Sequence, residues 1–249
     1  MQFFSYLING ISLGSVYALI ALGYTMVYGI AKMLNFAHGD VIMIGSYVVY
    51  FAFGASGLNP VLSIVLSMIV CTILGVVIER LAYRPLREAP SLAVLITAIG
   101  VSYLLQQVAQ LSWSSNPKSF TSVVSGMKPV SLFGGQLTIS AETIVTIVAC
   151  VVIMVVLMWF VNYTPAGHAM LAVSEDRGAA QLMGVNVNGT ISLTFAIGSA
   201  LAAIAGALLC SSYPTLQPTT GAMPGIKAFV AAVFGGIGSI PGAFVGGIL

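Results

Sequence analysis

Long apolar runs alternate with short polar ones along the chain. The apolar segments lie at about Phe4 to Ile30, Val41 to Gly54, Val61 to Ile78, Leu92 to Leu111, Thr143 to Val161, Ile191 to Ser211 and Ile226 to Leu249. A helix needs about 20 apolar residues to cross a bilayer, so most of these runs are long enough and the second is short. A transmembrane β-barrel would alternate apolar and polar residues over about 10 positions, whereas the run from Thr146 to Val161 is continuous. The pattern therefore predicts an all-α polytopic transmembrane bundle of about seven segments. Between them lie a Gly/His/Asp turn around residues 34 to 40, a basic loop Glu79 to Glu88, polar loops Trp113 to Ser140 and Tyr163 to Gly189, and a Pro-rich loop Ser212 to Pro224. No loop is long enough for a soluble domain, so residues 1–249 read as one transmembrane domain. The last run ends at Leu249 without a polar flank, and the domain reads as incomplete at that end.

Composition agrees with this reading. Of 249 residues, 59% are hydrophobic and 6% charged, with mean hydropathy +1.06, against about 25% charged in a soluble domain. The net charge of +2 supplies no basic stripe for nucleic acid. Its information is topological, because Lys and Arg of short loops stay on the cytoplasmic side. Arg80, Arg84, Arg87 and Arg177 then mark the inside, with Lys118 and Lys128 outside. The side of the N-terminus depends on whether the short second segment crosses fully. Cys71, Cys150 and Cys210 fall inside apolar runs without a CxxC pair or clustered His, and are expected as buried thiols rather than disulfides or zinc ligands. The first run has no basic region or small-residue cleavage site ahead of it and is expected as a retained helix.

Gly10-Ile11-Ser12-Leu13-Gly14 matches the GxSxG pattern of serine hydrolases, but that chemistry needs a strand-to-helix elbow and a His base. Within an apolar helix, small residues four apart favour close helix packing instead. No GxxxxGK[ST] phosphate loop occurs, so any ATP chemistry is expected on a partner. Leu34 to Asp40 places Asn35, His38, Gly39 and Asp40 between apolar runs. Asp40 can cap a helix starting at Val41, and the segment can be an interrupted helix whose polar groups line a transport route. An unpaired Asp at the bilayer centre costs about 2.5 to 3.5 kcal/mol, so it must be capped, wet or paired.

The stretch Phe234 to Gly242 carries Gly235, Gly236, Gly238, Ser239 and Pro241. Gly costs about 1 kcal/mol and Pro about 3 in a helix interior, which predicts two half-helices, either a broken span beside a substrate path or a sharp loop between short elements. Lys227 is expected to snorkel toward the interface, and Glu79, Arg80, Arg84, Arg87 and Glu88 to form a solvated rim. Glu175, Asp176 and Arg177 precede a short helix-prone piece holding Ala179, Ala180, Leu182 and Met183 and ending at Gly184. Too short to be stable alone, it is a candidate docking element.

These residues together resemble the permease subunits of ABC importers for branched-chain amino acids. The resemblance rests on Asn9-Gly10 through Ala18-Leu19 to Tyr28-Gly29, on Asn35 to Asp40, on Glu79-Arg80 with Tyr83-Arg84-Pro85-Leu86-Arg87, and on Lys227-Ala228-Phe229 running into the Gly-rich break. Gly178-Ala179-Ala180 with Gly184 looks like the EAA loop of ABC permeases, with Gly178 in place of its Glu and no downstream Pro. The family continues past the point where Leu249 stands. The resemblance implies an alternating-access permease in a bacterial inner membrane, without cofactor or catalytic residues. It also implies a second permease subunit, two cytoplasmic ATPase subunits and an extracytoplasmic binding protein as partners. Leu, Ile and Val are the implied substrates, with urea and short amides carried by related systems. The alternative is a self-sufficient ion-coupled transporter or channel for a small polar solute, with Asp40 as coupling acid.

Overall fold

The computed structural model describes residues 2–124, 129–132 and 137–249; Lys128, expected outside, falls beyond the described residues. Ten α-helices follow one another: α1 (Gln2–Ala31), α2 (His38–Val49), α3 (Pro60–Ile78), α4 (Ser91–Trp113), α5 (Ala141–Tyr163), α6 (Pro165–Glu175), α7 (Arg177–Leu182), α8 (Val187–Ser212), α9 (Ala222–Phe234) and α10 (Ile240–Ile248). Their starts carry the expected chemistry. Asn59 accepts from the Val61 N–H at 2.9 Å with Pro60 in the first turn of α3, and Asn186 accepts from the Gly189 N–H at 3.0 Å to open α8.

Among the described residues, five helices are long and apolar enough to cross a membrane: α1, α3 with its continuation to Leu86, α4, α5 and α8. The expected seven segments are thus five full spans plus two shorter features. The most apolar windows of α1 and α8 are 78% and 72% buried, against 28%, 17% and 22% for α3, α4 and α5. The first and fifth spans are therefore the centre of the bundle, and the other three form its rim. Ile73, Ile96 and Val152 on that rim are exposed, as suits an apolar solvent.

The second segment crosses as a broken span: Cys71 of α3 lies by the Val41 carbonyl and Ser67 by that of Gly45, so α2 runs antiparallel to α3, and Tyr50 at its far end lies under Lys118 on the face opposite the arginines. After α1 the chain reverses at Lys32, whose φ of 53° is the left-handed conformation that costs an L-residue about 1–2 kcal/mol. Residues 32–37 turn back into the protein, and α2 begins at His38 packed on Gly23, eight residues or about 12 Å before the end of α1. A π-helical stretch, Tyr50–Ala55, completes this segment. The Arg177 guanidinium donates to the Ala31 carbonyl. The end of α1 thus lies on the arginine-rich face, and the N-terminus on the opposite face, the point the sequence left open.

The last apolar run is a helical hairpin. Gly235 lies against Gly242 and Gly246 against Ala231, so α9 and α10 pack antiparallel. Along α1, Gly14 meets Ile248 and Gly29 meets Gly238, so α10 runs antiparallel to the first helix. Two small sheets occupy the face opposite the arginines, where the sequence suggested only polar loops. One pairs β1 (Lys118–Ser119) with β4 (Thr215–Leu216), Lys118 opposite Leu216; the other pairs β2 (Val130–Leu132) with β3 (Leu137–Ile139). Cys71, Cys150 and Cys210 are buried and free.

Candidate functional site

The break before α2 is the polar centre of the protein. Asn35, His38, Gly39 and Asp40 are all buried and stand together. The helix starts at His38 with Ala37 at the cap position, so Asp40 is a first-turn residue rather than the cap. Its Oδ1 accepts from the Gln106 Nε2 of α4 at 2.8 Å, the pairing a buried carboxyl requires. Asn35 Oδ1 accepts from the Tyr83 hydroxyl at 2.9 Å. His38 is packed against α1, its ring 4.7 Å from that of Tyr24, and its Nε2 has no hydrogen-bond partner among the described residues.

Close backbone contact holds this segment to α9. A Cβ on Gly39 would stand 2.6 Å from the Gly221 carbonyl oxygen, and one on Gly225 would stand 3.0 Å from the Gly39 Cα. Main chain therefore meets main chain between α2 and the start of α9, and no side chain larger than hydrogen fits. Gln106, Tyr83, Gly221 and Gly225 were missed from the sequence. Gln106 and Gln107 in an otherwise apolar helix were the signal available.

The second break lies elsewhere. Gly235, Gly236, Gly238, Ser239 and Pro241 form the turn of the α9–α10 hairpin, with φ of 89° at Gly236 and 98° at Gly238. Ser239 Oγ accepts from the Gly242 N–H at 3.2 Å and Pro241 sits in the first turn, so these residues start α10. The turn is largely exposed and adjoins Gly29 near the end of α1, while Gly39 adjoins Gly221 at the other end of α9. The structure does not bring the two breaks together: the opposite end of the hairpin, not its turn, meets the break before α2.

The arginine-rich face departs from a solvated rim. Glu79 and Tyr83 are fully buried in a π-helical stretch, Glu79–Tyr83, continuing α3. Glu79 pairs with Arg87 and accepts from the Ser192 hydroxyl of α8 at 2.6 Å. Arg87 also donates to Asn188, joining the loop after α3 to the start of α8. Glu79 and Tyr83 continue the four-residue spacing of the buried Ser67, Cys71 and Gly75, so the inward face of α3 runs on through the π-helical stretch.

Beside this face, α6 and α7 form a compact two-helix loop. Asp176 caps α7, accepting from the Gly178 N–H at 2.7 Å and the Ala179 N–H at 3.0 Å. Gly184 ends the piece with φ of 84°. Glu175, Ala179, Leu182 and Met183 are exposed, with Leu182 90% accessible. Ala180, expected on the docking face with Ala179, instead turns inward against the bundle. Burial, and then the neighbouring Arg87, pulls the Arg177 pKa below its ordinary value.

On the opposite face, Asn9, Ser12, Ser140, Glu142, Thr143 and Ser211 line a polar cleft of about 440 Å³. Ser12 has no base: His38 lies opposite Gly23, about 16 Å further along α1, and His168 is in α6 on the arginine face, its Nε2 2.7 Å from the Asn162 carbonyl. The GxSxG stretch is packing, with a Cβ on Gly14 only 2.8 Å from the Ile248 Cα.

Comparison with known proteins agrees with this architecture. The family model described as branched-chain amino acid transport system / permease component matches residues 6–249. The chain is 46% identical to the high-affinity branched-chain amino acid transport system permease protein BraD of Pseudomonas aeruginosa, over 98% of this chain and 82% of the relative. It is 43% identical to the permease protein LivH of Salmonella typhimurium, over 100% and 84%. The probable branched-chain amino acid transport permease protein LivH of Methanocaldococcus jannaschii is 31% identical over 93% and 73%. No solved structure matches the chain. A helical membrane bundle with a buried, broken second span, matched along nearly its whole length by transport permeases, is a member of the family of branched-chain amino acid transport system permease components.

Proposed function

We propose that the chain is the membrane-spanning subunit of an ATP-driven importer for branched-chain amino acids in a bacterial inner membrane, working by alternating access. The observation that carries this reading is the 46% identity to a high-affinity branched-chain amino acid permease over 98% of the chain. Its partners are a second permease subunit, two ATPases on the arginine-rich face and a binding protein on the opposite face. The arginine-rich face is cytoplasmic, because four Arg and Lys32 gather there.

The substrate route borders the break before α2. Asn35, His38 and Asp40 give it polar groups inside the bundle, and the Gly39–Gly221–Gly225 contact lets one backbone slide against another without interlocking side chains. The hairpin turn from Gly235 to Pro241 lies at the cytoplasmic end of α1, where its movement passes along α9 to that contact. Motion of the ATPases enters through α6 and α7. Exposed Leu182 and Met183 are apolar anchors for a groove, and Glu175, Asp176, Arg177, Ala179 and Gly184 shape the docking loop around them.

Reconstitution tests this. The chain purified with its ATPases and second permease, placed in proteoliposomes with binding protein, is expected to accumulate radiolabelled leucine on addition of ATP. Uptake by the chain alone, driven by an ion gradient without ATP, would assign it to ion-coupled transport instead.

A further inference from the structure

The arginine-rich face holds a cavity of about 330 Å³ at the foot of α4 that the transport reading leaves without a role. Lys32, Arg87 and Arg177 line it, and among the described residues one carboxylate pairs with them. That carboxylate, Glu79, is saturated by Arg87 and Ser192. Arg177 is bonded only to a main-chain carbonyl, and the buried Nε of Arg87 has no partner among the described residues. Ser91, the first residue of α4, opens on the same cavity, and no side chain caps that helix. Three cationic groups and an open helix N-terminus thus converge on one space. Each of them favours an anion.

We propose that this cavity binds the phosphate of an anionic lipid headgroup in the leaflet at the arginine-rich face. Lipid is favoured because Val94 and Leu86 complete the wall. The same helix continues away from the cavity as a span whose Leu92, Ile96 and Ile99 are exposed, a path for acyl chains. Basic pockets between membrane helices at the cytoplasmic boundary suit such headgroups. Burial first, and then repulsion from the neighbouring Arg87 guanidinium, lowers the Arg177 pKa. A phosphodiester would bridge Arg177 and Lys32 and relieve that repulsion. It would also fasten the residues flanking the chain reversal at Lys32 to the start of α7.

The test is native mass spectrometry of the assembled complex, delipidated and then titrated with phosphatidylglycerol or phosphatidylcholine. Tight retention of phosphatidylglycerol over phosphatidylcholine is expected, weakened about fivefold by Lys32→Gln and again by Arg177→Gln. Lys118→Gln on the opposite face should leave retention unchanged. Lys32 is exposed and its side chain bonds to no other group, so Lys32→Gln reads binding without disturbing the fold. Equal retention in the single and double variants would overturn the proposal. So would displacement of the lipid by millimolar inorganic phosphate, which would give the site to a free anion. Loss of the lipid whenever the ATPases are bound would give it to an acidic side chain of the partner, and would equally overturn it.

Discussion

Replacing Glu79 with Ala removes the only carboxylate that faces Arg87 and leaves that guanidinium 12% exposed with no counter-charge. Removing one partner of a buried pair costs about 3–5 kcal/mol, because the remaining charge stays in low dielectric. The Ser192 hydroxyl loses its 2.6 Å acceptor as well. In a chain of this size 1 kcal/mol moves the thermal midpoint by about 2–4 °C, so the variant should melt about 6–20 °C lower. The chain provides its own reporters. Cys71, Cys150 and Cys210 are buried and free, so a thiol-reactive fluorophore follows their exposure on heating in detergent. Glu79→Gln combined with Arg87→Met removes both charges at similar volume and should recover most of the loss. A fall of less than about 2 °C for Glu79→Ala, or a double variant no better than the single ones, would refute the buried pair and return these residues to a solvated rim.

Four further outcomes follow from the geometry. Gly221→Ala sets a methyl group on the Gly39 carbonyl and should reduce leucine uptake at least tenfold with the complex assembled, whereas Gly10→Ala, which meets nothing within 4 Å, should transport normally; equal uptake in the two would remove the backbone contact from the mechanism. Ala180→Glu buries an unpaired charge within the chain's own core and should lower the yield of folded protein, while Leu182→Glu, 90% exposed in the parent, should fold normally and lose ATPase co-purification or substrate-stimulated hydrolysis. Normal coupling in Leu182→Glu would return the loop to a plain connector. Asp40→Asn keeps an acceptor for Gln106 and Asp40→Ala does not, so uptake should fall further in the second; the reverse order would point to the charge itself. With the native cysteines replaced, Arg84→Cys and Met183→Cys should resist an impermeant thiol reagent in intact cells and Ser119→Cys should react, a pattern that the opposite orientation would invert.

The five full spans were legible because their apolar runs are long and continuous, and their observed bounds lie within a few residues of the runs. The polar segment from Asn35 to Asp40 was also legible as an interruption, since Asn, His and Asp cannot pass unnoticed among apolar neighbours. Charge misled at Glu79: it suggested water, although Glu79 and Tyr83 stand four and eight residues after the buried Gly75 on the face that α3 turns inward. Ala180 was misplaced because an alanine on a six-residue helix carries no sign of which face is covered. The Gly-rich break near the end is local and readable, but whether it interrupts a straight span or turns a hairpin depends on packing against α1, more than 200 residues earlier in sequence. The pairing of Lys118 with Leu216 is equally non-local.

That same distance along the chain has a consequence for biogenesis. The span α1 is the most enclosed of the five in the finished protein, and α8, α9 and α10, which cover most of it, begin only at Val187, Ala222 and Ile240. At about 5–20 residues per second, synthesis of the intervening chain takes roughly 10–40 s. Throughout that interval Gly14, Ser15, Gly23 and Thr25, which end in protein contacts or burial, face lipid or the insertion machinery. Their low hydrophobicity would make a weak anchor by itself. The aromatic and aliphatic residues Phe3, Phe4, Tyr6 and Leu7, still exposed in the folded chain, are placed to hold α1 in the bilayer until its partners arrive.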